Sequence, residues 1–446
     1  MSLLILPHEL LSRIFLDTLH LTPHVQTKSR PEFFFAHISQ YCRTVTLSTP
    51  LLWTNVRVSL AQLDGRRDDA LEMVVGYFAR SKICPLKVIL SNGRWASDPD
   101  EESLDALTAF LTILLPHAHR LQSFAIEIMS YGAWHTICDV LRRHLGPQIE
   151  SLHISIAPMR FGVPTPLEYS PLVHKGLPRL SHLRLSGRHE PRLPLQLEHV
   201  TCLDIGFTFW PYPIFRSIIL ATPRLSHLIL RNEAFPATQN PPIDVPSLRI
   251  LTLVAGEDCD YAADVLITLN MLNLEKLELV SADSCPLNNF WDPLFIEGPE
   301  YPSVKTVSFS SLVFMPGMHS KFLRQFPNVT HLKIMDSDLQ GILNFSMTDT
   351  SLLHGVDILC PALSTVTLHT SIAMDMEPLL LFIRARIASR NPLERLRLSH
   401  EALESFSEEI KGGLRLIVDV EEFSVDGEEE VRWLGGSSET ERCWWE

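Results

Sequence analysis

The sequence predicts an α/β solenoid: one parallel strand per repeat, stacked into a curved sheet, with a small helical segment ahead of the array. Three observations carry this reading. Aliphatic triplets spaced i, i+3, i+5 recur along most of the chain, a proline often stands just before the first of them, and several stretches in between carry leucines at helical spacing.

The triplets come first. LPRLSHLRL (Leu177–Leu185) and TPRLSHLIL (Thr222–Leu230) are near copies, followed by VPSLRILTL, LNLEKLEL, YPSVKTVSF, FPNVTHLKI, CPALSTVTL and NPLERLRL. Weaker copies begin at Leu121, Ile149 and Val200, and successive first positions lie 20 to 34 residues apart. On a strand, i+3 and i+5 point to the same face, so these two rows predict the buried side of a sheet. A proline before i cannot donate a ladder hydrogen bond and keeps the residue before it out of a helix, so it marks the turn into the strand. Between triplets, Asp98–His117 carries Leu104, Leu107, Leu111, Leu114 and Leu115 at helical spacing behind an acidic first turn, and YPIFRSIILATP and MEPLLLFIRARIASRNP read alike. Strand and returning helix bury their apolar faces only against neighbours, so the repeats must stack.

Composition bounds the function classes. The chain has 446 residues, 46% hydrophobic and 20% charged, which is a folding composition. Its formal charge is -14. Ten acidic and two basic residues from Asp419 to Glu446 supply -8 of that, leaving about -6 for the rest. No basic stripe is present to track a phosphate backbone, so nucleic acid is not an expected partner. Eight cysteines are scattered without a C-x-x-C pair, which reads as buried free thiols in a reducing compartment. No apolar run spans a bilayer, and Pro7, His8 and Glu9 break the first one too early for a signal peptide. The expectation is a cytoplasmic or nuclear protein with no membrane partner. Nucleophile-elbow, P-loop, H-E-x-x-H and G-x-G-x-x-G patterns are missing, and His117 and His119 read as a helix-end cap. No enzyme, cofactor or metal site is expected.

The array resembles the leucine-rich-repeat superfamily, over roughly residues 85–418, in its helix-bearing subtype; the resemblance implies a horseshoe. The N-terminus differs. LPHELLSRIFLDTL (Leu6–Leu19) puts Leu6, Leu10, Leu11, Ile14, Phe15 and Leu19 on one helical stripe with Pro7 in the first turn. A second helix, a turn at Ser48-Thr49-Pro50 and a strand near Val56–Leu60 follow. L-P-x-E-L-L-x-x-I-F, a later C-R, and L-S-T-P-x-L-W together look like an F-box, especially the version that precedes leucine-rich repeats in fungal F-box proteins; ARSKICPLKVIL matches what commonly follows there. The domain expectation is 1–60 helical docking segment, 61–418 solenoid, and 419–446 acidic tail or cap, in which Trp433, Trp444 and Trp445 either dock on the last repeat or anchor a partner.

The resemblance implies a substrate-recognition subunit of an SCF-type cullin–RING ubiquitin ligase. Its partners would be the Skp-type adaptor and a target protein that the sequence does not name. Leu6, Pro7, Leu10, Leu11, Ile14 and Phe15 would meet the adaptor, with Leu47, Pro50, Leu51 and Trp53, and Cys42 beside them. Strand alternation assigns His182, Arg184, His227, Lys276, Glu278, His331, Lys333, Arg395 and Arg397 to the outward face as candidate target contacts. The rival expectation is a leucine-rich-repeat interaction scaffold whose F-box-like segment only caps the array.

Overall fold

The computed structural model describes residues 6–21, 30–59, 67–91, 101–128, 131–141, 144–156, 177–187, 197–206, 212–231, 241–255, 261–281, 300–312, 322–337, 360–370 and 377–423. Trp433, Trp444 and Trp445 lie outside these residues. Contacts divide the chain into two compact units.

The first unit opens with three helices, α1 (His8–Leu21), α2 (Pro31–Ile38) and α3 (Gln40–Ser48), and a 3-10 turn, Pro50–Trp53. Pro31 sits in the first turn of α2, where no N–H is needed. The Ser39 hydroxyl caps α3, accepting from the Cys42 N–H at 3.0 Å. Six strands follow: β1 (Asn55–Ser59), β2 (Leu86–Ser91), β3 (Leu121–Ile128), β4 (Ser151–Ile156), β5 (His182–Gly187) and β6 (Cys202–Gly206). Each pairs parallel with the next in chain order. Helices Arg67–Arg80, Glu101–Leu114 and Tyr131–Leu141 connect the earlier strands.

The second unit repeats the plan. Its ladder is β7 (His227–Arg231), β9 (Ile250–Ala255), β11 (Lys276–Ser281), β12 (Thr306–Ser310), β13 (His331–Met335), β14 (Thr365–His369), β15 (Arg395–Ser399) and β16 (Asp419–Phe423), all parallel. Two short strands, β8 (Ile243–Asp244) and β10 (Leu269–Asn270), form a second parallel pair. Helices Tyr212–Leu220, Tyr261–Thr268, Glu377–Ala388 and Glu408–Ile417 belong here. β16 begins at the expected start of the tail, so Asp419–Phe423 is a rung of the sheet.

These register pairs are those of an α/β leucine-rich-repeat solenoid, one strand per triplet. Leu277, Val307 and Leu332 align at i+3, Leu279, Phe309 and Ile334 at i+5, and all are buried. Full burial of each such side chain contributes about 1.5–3 kcal/mol.

Two features of the repeat go beyond the triplet. The proline occupies a turn closed by a bond from the N–H of i to the carbonyl of i−3, as in Leu248 to Val245 (3.2 Å) and Leu363 to Cys360 (3.0 Å). Residue i−3 is itself buried: Leu177, Val245, Met271, Tyr301, Phe326 and Cys360 form a fourth core row.

Hydroxyl and amide side chains also stitch repeat to repeat. At i+1, Ser181 and Thr201 donate to the carbonyls of Glu150 (3.1 Å) and Ser181 (3.2 Å) one rung back. Thr330 and Ser364 do the same to Lys305 (3.3 Å) and Thr330 (3.4 Å). At i−1, Asn273, Ser303 and Asn328 donate to Pro246 (2.8 Å), Leu272 (2.8 Å) and Pro302 (2.9 Å). Ser337, buried eight residues after Val329, accepts from the Leu312 N–H at 3.0 Å and donates to the Met335 carbonyl at 2.9 Å.

Candidate functional site

Two parts of the molecule carry the residues that the sequence singles out. The first is on the N-terminal helices, whose interior is well defined. Phe15 of α1 stacks on Phe35 of α2 with ring centroids 4.3 Å apart. Leu11, Cys42 and Val45 are fully enclosed, and the Trp53 indole donates to the Thr46 carbonyl at 2.9 Å. Leu11, Phe15, Cys42 and Trp53 are therefore core residues and not direct adaptor contacts. A helix turns about 100° per residue, so one stripe residue packs inward while its neighbour faces out.

The outward set is different. Leu10 (54% exposed) and Ile14 (41%) form an i, i+4 pair on α1, and Phe34 (66%) and Ile38 (43%) form another on α2. Leu47 and Leu51 flank the turn after α3 and are also exposed. That turn lies against α1: His8 bonds to Ser48 at 2.8 Å and Ser12 to Thr49 at 2.9 Å. Pro7 is exposed, and Leu6 and Pro50 are half-buried. Phe34 and Ile38 were missed in the sequence; the F-F-F run signals a helix with apolar residues on more than one face.

This helical segment is joined to the first repeat. Trp53 lies edge-on to Tyr77 on helix Arg67–Arg80, 5.2 Å between centroids, and the Arg80 guanidinium lies over the indole at 4.5 Å. The Tyr77 hydroxyl donates to the buried Glu32 carboxyl of α2. Burial pushes the Glu32 carboxyl above the usual carboxylate range, opposed by its backbone hydrogen bond and by Arg30 and Arg57.

The second surface is the outward rows of the strands. In the first unit, His182 is exposed and bonds to the Ser181 hydroxyl at 2.8 Å. Arg184 departs from expectation: it is 4% exposed, and its guanidinium lies 3.5 Å from the buried carboxylate of Asp204 on β6. Alternation placed Arg184 on the outward row, but a buried ion pair with the next rung leaves it no surface for a target.

In the second unit the outward groups are linked. The Thr252 hydroxyl donates to Glu278 at 2.7 Å and lies 3.3 Å from His227 Nε2. Lys276 pairs with the same Glu278 carboxylate. His331 Nε2 lies 2.7 Å from the Thr367 hydroxyl. Burial, then Lys333, Arg397 and Lys276, push the His331 imidazole down to about 4. Lys333 is half-buried. Arg395 reaches Asp419 at 3.6 Å, while Arg397 reaches Glu421 at 3.2 Å and stacks over Phe423 at 5.3 Å. The register therefore brings Lys276, Glu278, His331, Lys333, Arg395 and Arg397 onto two adjacent rows.

Thiol chemistry is not prepared at the described cysteines that burial perturbs. Burial pushes Cys202 and Cys360 up to about 12, with Asp204 adding to it at Cys202 and Arg386 opposing it at Cys360. Among the described residues no group of three or more His, Cys, Asp or Glu side chains is placed to hold a metal ion. No described helix is long and apolar enough to cross a membrane.

Comparison with known proteins adds little. No family profile and no curated protein matches the chain. Among solved structures, a protein from Bacteroides fragilis is similar over 56% of this chain and 66% of its own, at 14% identity and a TM-score of 0.30. TLR13, solved in complex with ssRNA13, is similar over 67% of this chain and 38% of its own, at 13% identity and a TM-score of 0.31. The chain thus spans less than two thirds of either neighbour. Both scores are low, and the fold stands on the strand register described above.

Proposed function

We propose that the chain is the substrate-recognition subunit of an SCF-type cullin–RING ubiquitin ligase. In this reading the helical segment docks the Skp-type adaptor and the repeats bind a target protein. The chain itself performs no covalent chemistry: it raises the local concentration of the target beside the transferring subunits. A solenoid built of short, stacked rungs suits protein interaction, since its outward rows offer a long, regular surface.

The observation that carries the proposal is the split of the α1 stripe. Leu11 and Phe15 fill the interior while Leu10 and Ile14 stand in solvent, joined by Phe34, Ile38, Leu47 and Leu51. Six large apolar side chains on so small a helical segment cost hydration free energy unless a partner covers them. The Skp-type adaptor is the partner that the F-box resemblance of Leu6–Trp53 implies.

Recovery of the adaptor on the wild-type chain and on Leu10→Asp/Ile14→Asp tests this. Loss of adaptor from the folded double variant is the expected result. Equal recovery from both chains overturns the proposal.

The second reading, an interaction scaffold with an N-terminal cap, draws on the Trp53–Tyr77 and Glu32–Tyr77 contacts that fasten the helices to the first repeat. It requires the cap's apolar residues to be covered within the chain, and it predicts that the same double variant unfolds.

A further inference from the structure

We propose that the free edge of β16 takes an extended segment of a partner protein as one more parallel strand, with basic side chains opposite Asp419, Glu421 and Glu422 and an aliphatic one opposite Val420. The proposal rests on the reading that the repeats bind a protein, but not on adaptor docking.

The main chain carries the argument. The carbonyls of Ser226, Arg249, Glu275, Lys305, Thr330 and Ser364 each accept two N–H groups from the rung that follows, at 2.8–3.1 Å. β16 is joined to β15 in the same way, the Asp419 N–H donating to the Glu394 carbonyl at 3.2 Å. Val418 holds the next register position in that series. Along a parallel ladder successive residues bond to opposite sides, so the N–H and carbonyl groups of Val420 and Glu422 turn away from β15, as does the Val418 carbonyl. β16 ends the sheet, and among the described residues no strand pairs with that side. Such a row of main-chain groups is a template for strand addition: the backbone supplies affinity and the side chains supply selectivity.

The side chains narrow the partner. Leu332, Val366 and Leu396 are buried in the i+3 row, but Val420, next in that row, is only half-buried. Leu416 (87% exposed) and Ile417 (45%) precede it, so the core stops on an open aliphatic margin. Glu422 stands exposed in the i+5 row, where Leu368 and Leu398 are buried, and bonds to His400 at 2.8 Å. On the outward side Arg395 pairs with Asp419 and Arg397 with Glu421, so both rows alternate in sign and end on a carboxylate. β16 itself carries three carboxylates and no cation. A lysine or arginine opposite each carboxylate continues the alternation. A second copy of this chain fits poorly: β16 laid fully along β16, parallel or antiparallel, sets carboxylate against carboxylate.

The test uses the purified full chain and a fluorescent peptide, Thr-Lys-Val-Lys-Lys-Thr, whose first two lysines oppose Asp419 and Glu421. A second peptide is N-methylated at those two lysines, which removes the N–H groups that would donate to the Val418 and Val420 carbonyls and keeps the charge. Anisotropy is read at low and at physiological salt. The parent peptide is expected to bind, and the N-methylated copy to bind about tenfold more weakly or worse at both salts. Glu422→Lys is expected to weaken the parent peptide about tenfold or more, Glu422→Gln by less, and Glu72→Lys, on helix Arg67–Arg80, not at all. Circular dichroism and melting establish that each variant is folded, and the comparison of the two peptides on the wild-type chain needs no variant. No binding of the parent peptide at low salt overturns the proposal. So does equal affinity for the N-methylated copy, which would mean charge attraction without strand addition, or equal affinity of wild type and Glu422→Lys. A dimer of the full chain in sedimentation velocity that the peptide dissociates would assign the edge to a second copy and overturn it as well. Because no adaptor is present, these failures are distinct from a failure of adaptor docking.

Discussion

The ring of Trp53 stands edge-on to that of Tyr77, 5.2 Å between centroids, so the last turn of the helical segment and the first helix of the repeat array share one core. Trp53 is 1% exposed, and its indole N–H is satisfied by the Thr46 carbonyl. Trp53→Ala therefore leaves a large cavity and removes one of two hydrogen bonds that the Thr46 carbonyl accepts, the other coming from the Thr49 N–H. The expected cost is about 3–5 kcal/mol, read as a shift in urea midpoint. A loss below about 1 kcal/mol would mean that Trp53 is not a shared core residue.

Leu10 and Ile14 predict the opposite. Their exposure means that Leu10→Asp and Ile14→Asp remove little folded-state burial, so each is expected to change stability by only about 0.5 kcal/mol or less. Leu11→Asp, one residue away at 0% exposure, is expected to unfold the helical segment. The contrast between adjacent positions is the informative measurement. If Leu10→Asp is as damaging as Leu11→Asp, the outward face is covered within the chain and the cap reading gains.

The Arg184–Asp204 pair joins β5 to β6 away from water. Asp204→Leu removes the carboxylate that faces a buried guanidinium, at an expected cost of about 3–5 kcal/mol. The double variant Arg184→Met/Asp204→Leu should recover most of that loss, because replacing both partners removes the uncompensated charge. Thermal melting of the two variants decides the matter: equal destabilisation would show that the pair is not coupled.

How much of this was legible in the sequence follows from what fixes each feature. The i+3 and i+5 rows were readable because burial imposes aliphatic residues at every rung, as at Leu277, Val307 and Leu332. The i−3 row was not read, because the turn accepts Leu177, Tyr301, Phe326 or Cys360 alike; the only common mark is the proline that often follows. The linking ladders were overlooked for a similar reason. Ser181, Thr201, Thr330 and Ser364 share one register position, but serine and threonine are equally frequent on solvated strands. Alternation gave the side to which Arg184 points and not its burial, which depends on the carboxylate that the neighbouring rung brings to it. On α1, the stripe of Leu10, Leu11, Ile14 and Phe15 was plain, while its division into inward and outward members needed the position of Phe35.

His331 offers a prediction whose sign is fixed by its surroundings. Its imidazole is pushed down to about 4 by burial and then by Lys333, Arg397 and Lys276, so the folded chain holds fewer protons there than the unfolded chain between about pH 4 and the ordinary histidine value of about 6.5. The contribution of His331 to stability is therefore fully present above that window and declines as pH falls through it. Proton NMR of the ring should show titration near 4 in the wild type. Lys333→Ala removes one repelling charge and should move the midpoint upward. A wild-type midpoint at the ordinary histidine value, unmoved by Lys333→Ala, would show that the imidazole is neither desolvated nor crowded by cations.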